Sequence, residues 1–525
     1  YDDGWTLIAN GFLRVPGELG VLFSPEAVTR NIPDAFRPGL VLFDMLSYQL
    51  LGLHPGLHHA LSIALHLGVC ASLAAWLRRL GAPLILWSGT LALFGLLAIH
   101  TEAIAVISFR EDLLAALLGL LACTVASAAV RRPRAWTLAP LAMLLSLAAC
   151  AMKQSAAALP LLWLLAEALA PWQPRRPWPR LLGLTTALLL GAALLLAFTV
   201  WLYGDLSPYG ADNPRLLATR IGLAPVLAMS TQIHLAYLQQ IVLPVGLAPE
   251  YIDAGARWTD PATLLASAAL LSLLLYGLAC ARHRPLACLA IVGAFLLALP
   301  TSNLSAMPNM RADRFMYLPS LPACLGLVAL TLALARRLTT HLGDRLAPTT
   351  RPLVQLAPLA ALVILQGSVL AGTAFNYRSN AQLWAVARAM APGSARAQAT
   401  TGELLPPDAP VLALAFSQVK QFDFAWTAFE GADFYRLLES ADNGAPFLEV
   451  SNVVELSTSL TVPLHFRTNA SYSLQACNGN GCVDLPVVDV SGSLTGGIGY
   501  FKSSNSEAND SFGKSIALSA DGGTM

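Results

Sequence analysis

Charged side chains are scarce in this sequence of 525 residues. Asp, Glu, Lys and Arg together supply 12% of the chain, hydrophobic residues supply 56%, and the mean hydropathy is +0.59. A soluble domain carries about a quarter charged residues, so about half of the usual solvating charge is missing. This shortage excludes a soluble globular protein over most of the chain and predicts an integral membrane protein in contact with a lipid bilayer.

A basic surface is lacking as well. The formal net charge is +1, and no patch of Lys and Arg is interleaved with aromatic residues, which is the pattern that favours nucleic-acid binding. We therefore expect no nucleic-acid partner. The chain also begins at Tyr1 without a methionine or a signal peptide and ends at Met525 without a closing element, so we interpret it as a fragment.

Polar residues are distributed unevenly along the chain. Runs rich in Leu and Ala continue to about Phe375, whereas Asn, Ser, Asp and Gly crowd the chain after Phe416, and a Pro-rich stretch lies between them. We predict an all-α polytopic membrane bundle followed by an all-β sandwich. The predicted segments are the bundle over 1–375, a short helix and a linker over 376–410, the sandwich over 411–492 and a truncated unit over 493–525.

Ten stretches approach the roughly 20 apolar residues that a helix needs to cross the hydrocarbon core. They lie near 57–77, 84–99, 113–130, 136–152, 155–170, 181–203, 262–281, 286–301, 318–337 and 352–373. Several are short, and the two that meet at Lys153 are compatible with a single kinked unit. We expect these stretches to form the membrane bundle.

The arginines predict the orientation of the bundle, because their clusters fall on alternate loops. The clusters begin at Arg78, Arg131, Arg175, Arg282 and Arg336. The positive-inside rule assigns those loops to the cytoplasm. The other side then holds residues 1–56, the His100 loop, Lys153, 204–261, 302–317 and the part after 374. This assignment requires that 216–247, with its polar residues, does not cross the membrane fully.

Ionisable residues stand at the outer ends of the apolar runs, where they are costly unless they face a cavity or one another. Asp2 and Asp3 lie at the start of the chain, and such a pair suits a general base or a metal-bound phosphate site, with a solvated terminus as the alternative. His100 and Glu102 follow the 84–99 run, but they lack a third metal ligand at a standard spacing. The metal requirement is therefore open, with a divalent cation as a candidate cofactor.

Cations mark the same side of the bundle. Lys153 stands alone between two apolar runs, where it either snorkels to the interface or faces an anionic headgroup or phosphate. Arg311 and Arg314 run against the positive-inside trend, and each can either hold a phosphate or pair with Asp313 as a structural contact. These groups predict an outward-facing site for a lipid-linked phosphate and a polar group such as a sugar.

Short motifs follow one another over roughly residues 1–400. They are Tyr1-Asp2-Asp3, Phe36-Arg37-Pro38, Gly52-Leu53-His54-Pro55, His58-His59, Ile99-His100-Thr101-Glu102-Ala103, Arg110-Glu111-Asp112, Met152-Lys153-Gln154, Pro300-Thr301-Ser302-Asn303-Leu304, Ala312-Asp313-Arg314, Tyr317-Leu318-Pro319-Ser320 and the stretch 380–395. In number and order they resemble the tetratricopeptide-containing transmembrane O-mannosyltransferases and their bacterial relatives, of the GT-C glycosyltransferase superfamily.

The resemblance implies transfer of a sugar, mannose-like, from a polyprenyl-phosphate donor to a protein acceptor outside the cytoplasm. In such enzymes an acidic residue of the first outer loop deprotonates the acceptor, which here is Asp3 or Asp2, with Asp3 favoured. Basic residues would neutralise the departing lipid phosphate. The donor-phosphate residues would be Arg110, Lys153, Arg314 and Arg311, and the site-shaping residues His100, Glu102, Asp313 and Tyr317.

The resemblance also implies a multi-pass protein of a bacterial inner membrane with its tail on the periplasmic side. Two features depart from the family pattern: a helix is expected before Tyr1, and one repeat-like stretch replaces a stacked array. Two other functions stay open. One is a transporter or flippase for a lipid-linked or anionic solute, although no internal repeat is visible; the other is a membrane-anchored adhesion or scaffold protein.

The tail carries strand patterns of period two, separated by turns rich in Gly, Asn and Asp. The predicted strands are Phe422–Trp426, Tyr435–Glu439, Leu464–Arg467 and Tyr472–Ala476. Cys477 and Cys482 bracket a turn, which predicts a disulfide in an oxidising compartment, with two free thiols as the alternative. The stretch resembles a fibronectin type III sandwich, and the residues after Gly499 resemble the start of an FG-GAP repeat.

Overall fold

The computed structural model describes most of the chain between residues 37 and 490. The described residues are 37–131, 135–172, 178–203, 221–251, 255–304, 309–342, 349–392, 412–416, 421–429, 432–441, 447–462, 469–478 and 481–490, with the single positions 20, 22, 347 and 467. They belong to two compact units, Tyr1–Met390 and Ala391–Met525. The predicted unit at 493–525 lies outside the described residues.

The first unit is built from α-helices. Their bounds are α1 Pro38–Leu51, α2 Pro55–Arg79, α3 Leu84–Gly95, α4 Thr101–Ala105, α5 Arg110–Val130, α6 Ala139–Met152, α7 Leu159–Leu169, α8 Trp178–Tyr203, α9 Leu223–Val242, α10 Pro261–Ala279, α11 Pro285–Ala298, α12 Ser320–Leu342, α13 Arg351–Asn376 and α14 Asn380–Met390. Proline lies in the first turn of α1, α2, α10, α11 and α13. There its missing N–H interrupts no helical hydrogen bond, so the sequence itself fixes where these helices begin.

Six helices within the described ranges are long and apolar enough to cross a membrane, which identifies a multi-pass membrane protein by length and composition. They are Pro55–Arg79, Ile107–Val130, Trp178–Leu202, Pro261–Ala279, Ser320–Leu342 and Arg351–Asn376. The predicted runs near 136–152, 155–170 and 286–301 form shorter apolar helices, and their crossing stays a prediction. The stretch 216–247 contains α9, which is not among the six.

The predicted run 84–99 is not one straight helix. Helix α3 ends at Gly95, and the chain continues as the helical segment Ala98–Ala105, bent by 50°. Gln366 on α13 holds this break: the backbone N–H of Ala98 donates to its Oε1 atom at 3.1 Å, and its Nε2 atom donates to the carbonyl of Ile241 at 2.9 Å. His100 and Glu102, predicted in a loop, consequently lie in short buried helical turns.

Small residues allow close packing inside the first unit. At Gly191 on α8, an added Cβ would lie 2.6 Å from the carbonyl oxygen of Met143 on α6, so only glycine permits this approach. Large side chains fill the space between the other helices, and Trp163, Phe94 and Leu73 are fully buried. The result is a tightly packed bundle whose outward-facing leucines on α10 and α13 are exposed, as expected of helices that contact lipid.

The second unit contains two antiparallel sheets. The strands are β1 Ala413–Ala415, β2 Gln421–Ala425, β3 Phe434–Ser440, β4 Leu448–Val453, β5 Ser457–Thr461, β6 Ser471–Asn478, β7 Gly481–Asp484 and β8 Val488–Asp489. One sheet has the order β1–β2–β5, and the other has the order β4–β3–β6–β7 with β8 on β6. Alternate residues of both sheets, such as Phe422, Leu437 and Tyr472, share one core.

The strand-rich tail predicted from the sequence is confirmed in its coarse layout. Strands β2, β3 and β6 lie on three of the predicted stretches, whereas β1, β4, β5, β7 and β8 were not predicted. The stretch 464–466 lies outside the described residues. The Sγ atoms of Cys477 on β6 and Cys482 on β7 form a disulfide between paired positions of the two strands. The assignment to fibronectin type III stays a prediction.

Candidate functional site

Buried charged residues of the first unit gather where its helices begin or break. Glu102 lies in α4, Glu111 and Asp112 lie in the first turn of α5, Lys153 lies at the junction after α6, and Arg314 lies in the turn before α12. Helix ends leave backbone groups free for polar partners. These segments therefore form the part of the bundle in which charged side chains can be accommodated.

Glu102 and Arg314 form a doubly connected pair. The Arg314 guanidinium pairs with the Glu102 carboxylate, and the backbone N–H of Arg314 donates to Glu102 Oε2 at 2.9 Å. Both residues are buried, with exposed fractions of 2% and 6%. This contact joins α4 to the turn before α12, over a separation of 212 residues.

Lys153 connects two adjacent carboxylates. Its ammonium group lies 2.6 Å from Asp112 Oδ2 and 3.1 Å from Glu111 Oε1. The backbone of Lys153 is extended (φ −156°, ψ 127°), because α6 ends one residue earlier. Arg37, just before α1, pairs with the other oxygen of Glu111. The four residues make a continuous chain of alternating charge.

Two phenylalanine rings separate this chain from the Glu102–Arg314 pair. The Arg314 guanidinium carbon lies 3.8 Å from the centre of the Phe109 ring and 5.2 Å from that of Phe315. The Lys153 ammonium lies 5.7 Å from the same Phe315 ring. The two cations therefore flank one aromatic side chain, which aligns them by cation–π attraction. We call the residues Arg37, Glu102, Glu111, Asp112, Lys153 and Arg314 the charged network.

Asp313 adjoins Arg314 in the sequence, but its side chain contacts Tyr251, which is not a member of the charged network. The Tyr251 hydroxyl donates a hydrogen bond of 2.5 Å to Asp313 Oδ1. Burial, reinforced by the nearby negative charge of Glu102, raises the pKa of Asp313 well above its ordinary value, although Arg311 and Arg314 act in the opposite direction. Asp313 is therefore a buried acid that favours its protonated form.

Arg311 differs from the other cations of this region. Its guanidinium carbon lies 3.9 Å from the centre of the Tyr251 ring and 5.7 Å from that of Tyr237. Among the described residues, no carboxylate forms an ion pair with it. Arg311 is half-buried, and its planar guanidinium is held by an aromatic face, so its edge is available for an anion.

Arg110 faces a different part of the bundle from Lys153 and Arg314. Its Nη2 atom lies 2.9 Å from His58 Nδ1 and donates to the carbonyl of His58 at 2.7 Å, and its Nε atom donates to Ser62 Oγ at 3.1 Å. Arg110 is fully buried. The structure thus directs Arg110 toward α2, and its expected contact with the donor phosphate stays a prediction.

A layer of histidine and hydroxyl groups lies beside the network. The Tyr317 hydroxyl donates to His66 Nδ1 at 2.7 Å, and His66 Nε2 donates to the carbonyl of Gly95 at 3.2 Å. His100 Nε2 and Ser320 Oγ form a hydrogen bond of 2.8 Å. Since Tyr317 and Ser320 follow Arg314 closely and His100 precedes Glu102, these bonds fix the segments that carry the ion pair.

The sequence analysis found some of these residues and missed others. Lys153, Glu102, Arg314, Arg311 and Asp313 were expected and lie in one region. His66, Ser320 and Tyr251 were not singled out. His66 had a usable signal, because an ionisable residue inside an apolar span is costly without a partner. Ser320 and Tyr251 carried no such signal.

The predicted general base, Asp3 or Asp2, lies outside the described residues. Within the described ranges, no group of three His, Cys, Asp or Glu side chains is arranged to hold a metal ion. The carboxylates of the charged network have cations as partners instead.

A comparison of the chain with protein-family models, curated proteins and solved structures finds no match.

Proposed function

We propose that this chain is a membrane glycosyltransferase of the GT-C type, which transfers a mannose-like sugar from a polyprenyl-phosphate donor to a protein acceptor on the non-cytoplasmic side. The carrying observation is the charged network, buried beside Phe109 and Phe315 at the helix ends. Ionisable groups at such depth in a membrane protein are costly and mark functional sites. A membrane anchor has no need of them.

The chemistry of sugar transfer from a lipid phosphate calls for fixed positive charge. The bond between the anomeric carbon and the phosphate oxygen breaks, and its electron pair stays on the phosphate. The acceptor hydroxyl oxygen forms the new bond to the anomeric carbon, and its proton passes to a carboxylate. Preorganised cations stabilise the charge that grows on the leaving phosphate, which is the role for which Lys153, Arg314 and Arg311 are suited.

Arg311 is the best candidate for direct contact with the phosphate. Lys153 and Arg314 each have a carboxylate partner, so a phosphate would have to compete for them. Arg311 has none among the described side chains and is oriented by the Tyr251 ring. A guanidinium can hold two phosphate oxygens at once. Lys153 and Arg314, whose charges are balanced by their carboxylate partners, then hold the segments around the phosphate in place.

The general base follows from the family resemblance and not from the described geometry. In that resemblance Asp3, with Asp2 as its neighbour, accepts the proton of the acceptor hydroxyl. A divalent cation bound by the donor phosphate is compatible with the same scheme. The resemblance also supports a bacterial inner membrane with the tail in the periplasm, where the Cys477–Cys482 disulfide would be stable.

A transfer assay in proteoliposomes tests the proposal. The full chain is given a polyprenyl-phosphate donor carrying a labelled sugar and an acceptor peptide rich in Ser and Thr. We expect labelled peptide and free polyprenyl phosphate, and we expect Asp3→Asn to abolish both. Asp260→Asn, which changes a carboxylate that caps a turn at Arg257 outside the site, should keep the activity. Unchanged transfer by Asp3→Asn would refute the assigned base, and no transfer by any form would refute the enzyme.

One observation favours a second function, a transporter or flippase for a lipid-linked solute. The segment that carries His100 and Glu102 follows a span broken between Gly95 and Ala98 and bent by 50°, and broken helices line the substrate sites of many transporters. This reading predicts movement of the labelled lipid across the bilayer without any labelled peptide. The same proteoliposomes distinguish the two functions, because a transferase consumes the donor.

A further inference from the structure

Helix α1 buries two polar side chains and exposes a stripe of leucines. Asp44 and Ser47 are buried against the rest of the unit beside Met45, whereas Leu42, Leu46 and Leu50 are exposed by 45%, 58% and 73%. These leucines are spaced four residues apart and therefore form one stripe on the helix surface. In a protein surrounded by water, the stripe would face the core and the polar residues would face outward.

The exposed stripe indicates that the medium outside α1 is apolar. Keeping a leucine in water instead of burying it is unfavourable, and the stripe repeats this cost three times along one face. Leu53 and Leu57, which follow α1, are exposed as well, and Leu57 lies on α2, a helix apolar enough to cross the membrane. Hydrocarbon is the medium that such a surface fits.

The length of α1 excludes a full crossing. It has 14 residues, so it is about 21 Å long, because each helical residue adds 1.5 Å. The hydrocarbon core is about 30 Å thick. A helix of this length with one apolar face lies within one leaflet or along its boundary.

The start of α1 is attached to the charged network. An added Cβ at Gly39 would lie 3.0 Å from Met152 Cε and 3.1 Å from the backbone carbon of Ala151, so the helix rests on the end of α6. Arg37, one residue before α1, pairs with Glu111. The leucine stripe therefore starts beside the Lys153 junction and leads away from it.

We propose that the Leu42–Leu46–Leu50 face of α1 lies in the hydrocarbon of the leaflet on the side of Lys153. Helix α1 then forms a wall between that leaflet and the charged network, with Arg37 at its end. The partner is the lipid bilayer itself. The inference concerns the position of α1 and does not require that the chain transfers a sugar.

Fluorescence quenching of a single probe tests this position. The eight cysteines of the chain are six buried free thiols and the Cys477–Cys482 pair, so an environment-sensitive maleimide can be directed to an added cysteine. Probes are placed in the full chain in liposomes by Leu46→Cys and, in case that variant folds poorly, by Leu50→Cys. Leu265→Cys on α10 and Val454→Cys in the second unit, exposed by 70% and 68%, are the lipid and water controls.

We expect lipids with a nitroxide on the acyl chain to quench the probe at Leu46 or Leu50 as strongly as the probe at Leu265. We expect a water-soluble quencher to act on the probe at Val454 and to leave the α1 probes bright. The inference is overturned if the α1 probes respond to the water-soluble quencher as Val454 does. It is also overturned if they are shielded from both quenchers, because protein and not lipid would then cover the stripe.

Discussion

The Lys153 ammonium donates a hydrogen bond of 2.6 Å to Oδ2 of Asp112, a residue 41 positions earlier in the chain. Both side chains are more than nine-tenths buried. The bond forms because α6 ends just before Lys153, and the extended backbone there directs the side chain toward the first turn of α5. The junction of α6 with the next helical segment is thus fastened to α5 by charge, in a region where an unpaired ion would be very costly.

The first prediction concerns this bond. Lys153→Met leaves Asp112 buried without its cation and Glu111 with Arg37 alone, and breaking a buried pair in this way costs about 3–5 kcal/mol. We expect the free energy of unfolding in mixed micelles, followed by tryptophan fluorescence, to fall by that amount. The same assay should show almost no change for Arg180→Met, because Arg180 is exposed at the start of α8.

A double variant separates lost charge from lost packing. Adding Asp112→Asn to Lys153→Met removes the uncompensated carboxylate, so part of the lost stability should return. If the double variant is no more stable than Lys153→Met alone, the contact seen at 2.6 Å contributes no ionic stabilisation. That result would contradict the claim that Lys153 and Asp112 form a stabilising ion pair in the charged network.

The second prediction concerns the pH dependence of stability. Burial and Glu102 hold the pKa of Asp313 well above its ordinary value of 3.8. The folded state therefore keeps a proton that the unfolded state releases above pH 3.8, so this contribution to the free energy of unfolding is complete below that pH and is lost as the pH rises toward the raised pKa. The slope is at most about 1.4 kcal/mol per pH unit.

Asp313→Asn should remove this slope, because an amide has no proton to release at these pH values. Unfolding of both forms is measured from acid to neutral pH. Asp260→Asn serves as the control, since Asp260 caps an exposed turn, and it should keep the slope of the unchanged chain. An identical slope in the Asp313→Asn variant would show that another group is responsible.

The third prediction concerns the hydrogen bond between Tyr317 and His66, which measures 2.7 Å. Tyr317→Phe leaves a buried histidine nitrogen without its donor, at a cost of about 1–3 kcal/mol. Amide hydrogen exchange should also accelerate over 313–317, because this bond fixes the turn that carries Arg314. Tyr276→Phe is the matched control, since Tyr276 is exposed by 47% and should tolerate the change. Equal effects of the two variants would argue against a fixing role for Tyr317.

Part of this site could be predicted from the sequence, because isolated charges in apolar surroundings are conspicuous. Lys153 stands alone between two apolar runs, and the coarse arrangement of spans follows from their length. Its partners could not be predicted in the same way. Glu111 and Asp112 lie in the first turn of a helix, where a favourable interaction with the helix dipole already explains a carboxylate. Only the packing of α6 against α5 shows that they bind Lys153.

Arg110 and the 84–99 run show why the remaining contacts could not be predicted from the sequence. Arg110 adjoins Glu111 in sequence, but successive residues of a helix point about 100° apart, so its side chain faces His58 instead of Lys153. The run 84–99 is apolar throughout, and its break after Gly95 is held by Gln366, far along the chain. Contacts between distant segments decided both outcomes, and local patterns do not contain them.

The most direct test of the account is the kinetics of sugar transfer by an Arg311→Gln variant in proteoliposomes. If Arg311 holds the donor phosphate, kcat/KM for the polyprenyl-phosphate donor should fall about tenfold or more, as expected for the loss of a hydrogen bond to a charged group of about 1.5–3 kcal/mol. Arg337→Gln, on an exposed part of α12, should leave kcat/KM unchanged. Equal kcat/KM for the unchanged chain and Arg311→Gln would contradict the proposed phosphate site.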